Sequence, residues 1–128
     1  MKKILIIIIL FSLHLAHAQK RNNSIIGKWI GTDERSETGG IEFLNNKTAK
    51  LLMMGKEMPI TEYKVDYSKN PVWIDFIIKR NGQTMTLYGL LEFIDSNTIK
   101  WEVFPMVNKR PKSFSGKTQN TSIILKRQ

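Results

Sequence analysis

Short runs of alternating apolar and polar residues are the dominant pattern of this chain. The clearest run, residues 60–67, sets Tyr63, Val65 and Tyr67 against three charged side chains. A period of two is typical of a β-strand with one dry face and one wet face. No segment keeps an apolar period of 3.6 residues, so the sequence predicts no helix.

Turn signals divide the chain into about eight strands. Asn81-Gly82 between two alternating runs is the strongest hairpin signal, and Gly89 predicts a bend or bulge inside a long strand. Closing such a sheet removes its edges. We therefore predict an all-β fold, a single antiparallel up-and-down β-barrel spanning residues 25–127. The predicted strands are residues 25–31, 41–44, 48–54, 60–67, 72–78, 84–94, 98–104 and 121–126.

The first 18 residues have the pattern of a secretory signal peptide. Lys2 and Lys3 precede an apolar run over residues 4–13, and Ala16-His17-Ala18 forms a small-residue cleavage site. The run is shorter than the roughly 20 residues that span a bilayer. Gln19 would begin the mature protein, and residues 19–24 form a polar leader. A bacterial lipoprotein would need a cysteine at the cleavage site, and this chain has none there, so we do not expect a lipoprotein. We predict a periplasmic or secreted protein.

Removal of the signal peptide leaves few groups for chemistry. His14 and His17 are the only histidines, and the chain has no cysteine. Serine–histidine and cysteine–histidine catalysis therefore have no base, and transition-metal sites lack their usual ligands. No pair of carboxylates has a spacing that indicates glycosidase chemistry. We predict a protein that is not an enzyme and holds no metal or cofactor.

Four motifs carry a resemblance to a known family. Gly27-Lys28-Trp29 resembles the glycine–x–tryptophan signature at the start of lipocalins and related calycins. Together with the segments 70–76, 110–114 and 124–127, it resembles a family of small, uncharacterised, lipocalin-like bacterial secreted domains. The resemblance covers nearly the whole mature chain and implies a lipocalin-like barrel without any particular reaction. This chain is shorter than true lipocalins and lacks their cysteine pair, so a mostly filled barrel stands as the alternative to a spacious hydrophobic cup.

The resemblance also implies how the barrel closes. In calycins a basic side chain from near the last strand covers the motif tryptophan, which here means that Lys126 or Arg127 lies over Trp29. Arginine is favoured because its guanidinium stacks on aromatic rings as well as donating hydrogen bonds. Gly27, Trp29 and Arg127 are the predicted closure residues.

Inward-facing methionine and aromatic side chains are the candidate ligand contacts. Methionine suits irregular binding cavities, although it also fills ordinary cores. Met53 and Met54, beside Met58, predict a flexible lip over the barrel mouth. The hypothesis is a binding module for a small apolar or amphipathic ligand, with these candidate residues: Met53, Tyr63, Met85, Leu87 and Trp101.

Net charge raises a second hypothesis. The formal charge of +9 falls to +7 without Lys2 and Lys3, and residues 105–120 form a basic loop. That loop is either an ordinary solvated face or a docking site for an acidic protein, which would make the barrel the scaffold of an interaction or inhibitor domain. The loop lacks the aromatic residues that alternate with basic ones in single-strand nucleic-acid grooves, so we do not expect nucleic-acid binding. Asp75, in an otherwise apolar strand, is expected to pair with Arg110.

Overall fold

The computed structural model describes residues 24–32, 36–105, 107–116 and 122–128. The predicted signal peptide and residues 19–23 of the polar leader lie outside the described residues. Within the described ranges the chain forms nine antiparallel strands, and it contains no helix long and apolar enough to cross a membrane. The strands are β1 Gly27–Thr32, β2 Thr38–Phe43, β3 Ala49–Met53, β4 Lys56–Ile60, β5 Glu62–Asp66, β6 Val72–Arg80, β7 Gln83–Asp95, β8 Thr98–Phe104 and β9 Ile123–Arg127.

One sheet contains all nine strands and curves into a barrel. Its order is β4-β3-β2-β1-β9-β8-β7-β6-β5, so most neighbours in space are also neighbours in sequence. The two ends of this order, β4 and β5, are consecutive in the chain and separated only by Thr61. The sheet therefore meets itself at one bent segment. This confirms the prediction of an antiparallel all-β barrel.

The bend at Thr61 explains why nine strands are found where about eight were predicted. The expected fourth strand at residues 60–67 begins earlier, at Lys56, and changes partner midway. Its first half pairs with β3 and its second half with β6. The inward positions change parity at the bend, from Met58 and Ile60 in β4 to Tyr63 and Val65 in β5.

The hairpin between β6 and β7 matches its sequence signal, whereas Gly89 does not mark a bulge. Asn81 and Gly82 both have positive φ angles, 52° and 73°, as a two-residue hairpin turn requires. The ladder passes through Gly89 without interruption, and its register shifts instead between Phe93 and Asp95. At Gly89 a Cβ atom would stand 2.8 Å from Ile74 Cγ2. Close packing therefore explains this glycine.

The core is formed by the inward positions of every strand. Phe76 and Trp101 meet edge to face with ring centroids 5.7 Å apart, and Phe43 meets Tyr63 in the same way at 4.9 Å. These contacts join β6 to β8 and β2 to β5 across the barrel. With no cysteine in the chain, this buried apolar interior is what stabilises the fold.

Trp29 and Arg127 close one end of the barrel, where only two residue pairs join β1 to β9. Trp29 is fully buried, and its indole N–H donates to Ile25 O at 2.8 Å. The Arg127 guanidinium lies over the indole, with Cζ 4.1 Å from the ring centroid, and donates to Ile26 O and Ser24 O. The Trp29–Arg127 pair is hereafter called the closing pair.

Gly27 and the β7–β8 turn complete this end. Gly27 has φ 128°, and a Cβ there would stand 3.2 Å from Arg127 Nη1, so glycine lets the guanidinium approach. The Arg127 backbone N–H donates to Asn97 O at 2.9 Å. In the same turn the Asn97 N–H donates to Asp95 Oδ1, which lowers the pKa of the Asp95 carboxyl. The stabilisation is present above the usual aspartate pKa and is lost as the pH falls through the lowered value.

Two further glycines let β1 approach its neighbours. A Cβ on Gly40 would stand 1.9 Å from Trp29 O, and a Cβ on Gly31 would stand 2.2 Å from Ile124 O. Both obstacles are backbone atoms, which cannot swing aside as a flexible side chain can. β1 thus sits between β2 and β9 at a spacing that only glycine permits.

We predict that Trp29→Ala lowers the free energy of unfolding by about 3–5 kcal/mol, because it removes a large buried side chain. Trp29→Phe should be milder. Arg127→Ala should lower it by about 1–2 kcal/mol and should couple to Trp29 in a double-mutant cycle. Urea midpoints at constant slope measure these changes. Additive effects of the two alanine substitutions would show that Trp29 and Arg127 do not stabilise each other.

Gly40→Ala should destabilise the protein by about 3 kcal/mol or more, since β1 and β2 must separate to admit a methyl group. Gly116→Ala is the matched control, because a Cβ there meets none of the described residues within 4 Å. The control should unfold within about 0.5 kcal/mol of the wild type. Equal thermal midpoints for the two variants would show that the close approach at Gly40 is not needed.

Candidate functional site

A cavity of about 580 Å³ opens at the end of the barrel opposite the closing pair. This volume lies in the range of small-molecule sites. We call it the cup. Residues from β2, β3, β4, β7, β8 and β9 line it, together with the segments that follow or precede these strands. They are Glu37, Thr38, Gly39, Gly40, Leu51, Leu52, Met53, Met54, Met58, Met85, Leu87, Trp101, Val103, Pro105 and Ile123.

Buried apolar side chains form the floor of the cup. Leu51, Leu87 and Trp101 are each less than a tenth exposed, and they come from three different strands. Trp101 is fixed by its edge-to-face contact with Phe76. From Trp101 to Pro105 the polypeptide advances four residues, or about 13 Å along the strand. Because barrel strands are tilted to the axis, this distance is an upper bound on the depth of the cup.

Methionines form the lip of the cup. Met53, Met54 and Met85 are 54%, 73% and 46% exposed. Met54 and Gly55 make the turn between β3 and β4, with φ angles of 49° and 71°. Unbranched thioether side chains can adapt to ligands of irregular shape. The lip is therefore an adjustable apolar edge above a fixed floor.

The cup offers little for catalysis. Glu37 is the ionisable side chain in its lining, and neither histidine nor cysteine occurs after residue 18. Among the described residues no three acidic, histidine or cysteine side chains are grouped so that they could hold a metal ion. What the lining can supply is apolar contact area.

The five predicted ligand contacts do not all lie together. Met53, Met85, Leu87 and Trp101 line the cup. Tyr63 lies outside its lining: the ring packs against Phe43, and the hydroxyl donates to Asn45 O in the turn after β2. Burial raises the pKa of Tyr63, with a smaller contribution from Tyr67. Tyr63 thus has the position of a core residue near the closed end.

Sequence reasoning left several lining residues out of the site. Glu37 to Gly40 were expected in a connection, yet Thr38 begins β2. Val103 and Ile123 fall within predicted strands, but the sequence did not predict how far along the barrel axis they lie. The alternation of each strand identified the inward face, but no local signal gives the height of a residue above the floor.

A second cluster lies on the outer face of β6, β7 and β8, where residues 107–116 cross the barrel. We call this segment the outer strap. Arg110 forms an ion pair with Asp75, as the sequence suggested. Its guanidinium also lies between two rings, with Cζ 4.7 Å from Trp73 and 4.5 Å from Tyr88. Burial lowers the pKa of Arg110, and the charge of Asp66 opposes that shift.

Further along, the outer strap covers buried groups that face away from the core. Leu90 and Glu102 stand side by side in the β7–β8 ladder and are almost fully buried. The Ser115 N–H donates to Glu102 Oε1 at 2.8 Å. Lys100 lies 4.5 Å from the Phe114 ring centroid. Within residues 105–120, the positive charge of Arg110 is therefore bound to the barrel itself.

Comparison with known proteins identifies no relative of this chain. No protein-family model, no curated protein and no solved structure matches it.

We predict that Arg110→Ala loosens the outer strap and lowers the free energy of unfolding by about 1–2 kcal/mol, because it leaves Asp75 without its cation and removes the stacked guanidinium. Arg110→Lys should restore little of the lost free energy of unfolding, since an ammonium group cannot stack on two rings. Lys112→Ala, at an exposed strap position, is the control. Limited proteolysis and urea unfolding measure both effects. Equal cleavage rates for the Arg110 and Lys112 variants would contradict this role.

Proposed function

We propose that this chain is a non-enzymatic lipocalin-like binding protein that holds a small apolar or amphipathic ligand in the cup. The observation that carries the proposal is an apolar cavity of about 580 Å³ with a buried floor and an exposed methionine lip. Ligand sites are concave and mostly apolar with few polar groups. The cup has this character, with Glu37 and Thr38 as its polar side chains.

The barrel itself supports a binding role. Its floor residues belong to β3, β7 and β8. Antiparallel ladders with the neighbouring strands define the register of these three strands. A preformed cavity binds with less loss of conformational freedom than one that must be assembled. Exposed side chains lie at the methionine lip and at Glu37, Thr38 and Pro105. Such a site captures a ligand without requiring the barrel to rearrange.

The proposed location is the periplasm or the cell exterior. The basic residues, apolar run and small-residue cleavage site of residues 1–18 support it. The resemblance of four motifs to a lipocalin-like bacterial secreted family points the same way. An extracytoplasmic binding protein of this kind would meet ligands that arrive from the surroundings or from the cell envelope.

An interaction or inhibitor domain is the alternative, and the outer strap gives it less support. Docking an acidic partner requires free cations on residues 105–120. Arg110 is held by Asp75, Trp73 and Tyr88, and it could contact a partner only by leaving them. Among the described residues of this segment Lys109 and Lys112 remain exposed, but two solvated lysines are an ordinary surface feature.

A neutral fluorescent probe, N-phenyl-1-naphthylamine, should bind the wild-type barrel and brighten in the cup. Met53→Asp together with Met85→Asp should weaken binding about tenfold or more, because a carboxylate at an apolar mouth disfavours an apolar ligand. Ile94→Asp is the matched control, since Ile94 is 51% exposed and lies near the opposite end of β7. Fluorescence titration measures the affinities, and circular dichroism checks the fold.

Failure of the wild type to bind the probe would contradict the proposal. So would equal losses in the lip variant and in Ile94→Asp, because the probe would then bind some other surface. Native mass spectrometry of protein taken from its own secreting cell gives an independent measurement. A co-purifying small molecule that is absent from the lip variant is the expected result.

A further inference from the structure

The inward positions of β4 change from apolar to cationic toward the mouth of the cup. Ile60 is buried opposite Ala49, Met58 is half-buried opposite Leu51, and Lys56 is exposed opposite Met53. Opposed residues in an antiparallel pair share one face of the sheet. Lys56 therefore belongs to the same inward face as the cup residues Met53 and Met58, at its outer limit.

β6 repeats this change on the other side of the bend. Phe76 and Ile78 are buried inward positions, and Ile78 stands opposite the lip residue Met85. Since side chains alternate along a strand, Arg80 falls on the same face two residues further on. Arg80 is exposed and ends the strand. Each of the two strands thus ends its inward row in a cation.

Among the described residues no backbone pairing joins β4 to β6 on the mouth side of Thr61, and we call this unpaired stretch between the two strands the gap. The last hydrogen bonds that join the bent segment to β6 run from Thr61 N–H to Ile77 O and from Lys79 N–H to Thr61 Oγ1. Toward the mouth, β4 pairs with β3 and β6 pairs with β7. Pro59 on β4 has no N–H to offer across the gap. Lys56 and Arg80 are the mouth-side ends of the two strands that border the gap.

Neither cation is neutralised within the part of the chain that the structure describes. The ion pairs found there join Lys50 to Glu57 and Arg110 to Asp75. Glu57, the neighbour of Lys56, is thus engaged on the outer face of the sheet. Glu37 also lines the cup, but it stands at the start of β2 and has an interaction of its own.

We propose that the ligand of the cup is a single-chain amphiphile with an anionic headgroup. Its apolar chain lies against Leu51, Leu87 and Trp101, and its carboxylate, sulfate or phosphate lies at the gap between Lys56 and Arg80. This inference rests on the proposed binding function and names its ligand class. A cation at the mouth also favours the orientation in which the charged end stays in water, because burying an unpaired charge is strongly unfavourable.

Three probes with the same chain and different heads test the headgroup. Dodecanoate, dodecanol and dodecyltrimethylammonium are titrated calorimetrically into the wild-type protein below their micellar concentrations. Dodecanoate should bind about tenfold more tightly than dodecanol, and the ammonium should bind most weakly. Added salt should narrow the difference between dodecanoate and dodecanol, since exposed charges are screened.

Charge-removing variants locate the headgroup. Lys56→Gln and Arg80→Gln should each weaken dodecanoate binding about two- to fivefold, and the double variant about tenfold, as expected for exposed ion pairs. Dodecanol should bind all variants equally. Lys79→Gln is the matched control, because Lys79 adjoins Arg80 but lies opposite Thr84 on the outward face. This control should leave both affinities unchanged.

The outcomes separate this inference from the proposed function. Equal binding of dodecanoate and dodecanol, or equal losses for both in the double variant, would overturn the anionic headgroup and leave the cup as a binding site. Binding of phosphatidylglycerol vesicles without binding of monomeric dodecanoate would also overturn it, because the cations would then serve a lipid surface. If none of the three probes binds, the proposed function fails as well.

Discussion

One cation over one aromatic ring covers the joint between the first and last strands of the barrel. β1 and β9 share two residue pairs, and the Gln128 N–H also donates to Lys28 O. The Arg127 guanidinium adds hydrogen bonds to Ile26 O and Ser24 O above the Trp29 indole. Since the chain has no cysteine, no disulfide can perform this task. Packing at the closing pair therefore reinforces the joint between β1 and β9.

Glycine is the backbone counterpart of that pair. Gly31 and Gly40 let β1 approach β9 and β2 so closely that a Cβ would overlap backbone oxygens. Gly40 also lines the cup, so the close contact of β1 with β2 extends from the closing pair to the open end of the barrel.

The sequence predicts which side of each strand faces inward much better than where a residue lies along the barrel axis. Alternation is local, and the Asn81-Gly82 turn fixes the β6–β7 register by itself. Tyr63 and Leu87 both face inward, yet Leu87 lies in the floor of the cup and Tyr63 near the closed end. That difference comes from how nine strands are staggered around the barrel, which is a non-local property. The bend at Thr61 is different, because the alternation does change parity there, between Ile60 and Tyr63.

The outer strap shows the limit of assigning function to a basic loop from its charge. Leu90 and Glu102 face outward from the barrel and would be exposed to water without residues 107–116. An apolar side chain and a carboxylate in that position need a cover that supplies both contact area and donors. The strap supplies Phe114 and the Ser115 N–H nearby, and Arg110 for Asp75. Its composition is therefore explained by the face that it covers, whereas the methionine lip and the two mouth cations have no such partner within the described chain. The exposed apolar area of the methionine lip and the unpaired charges of the two cations lie together at the mouth of the cup. A bound amphiphile would cover the apolar area and neutralise the charges.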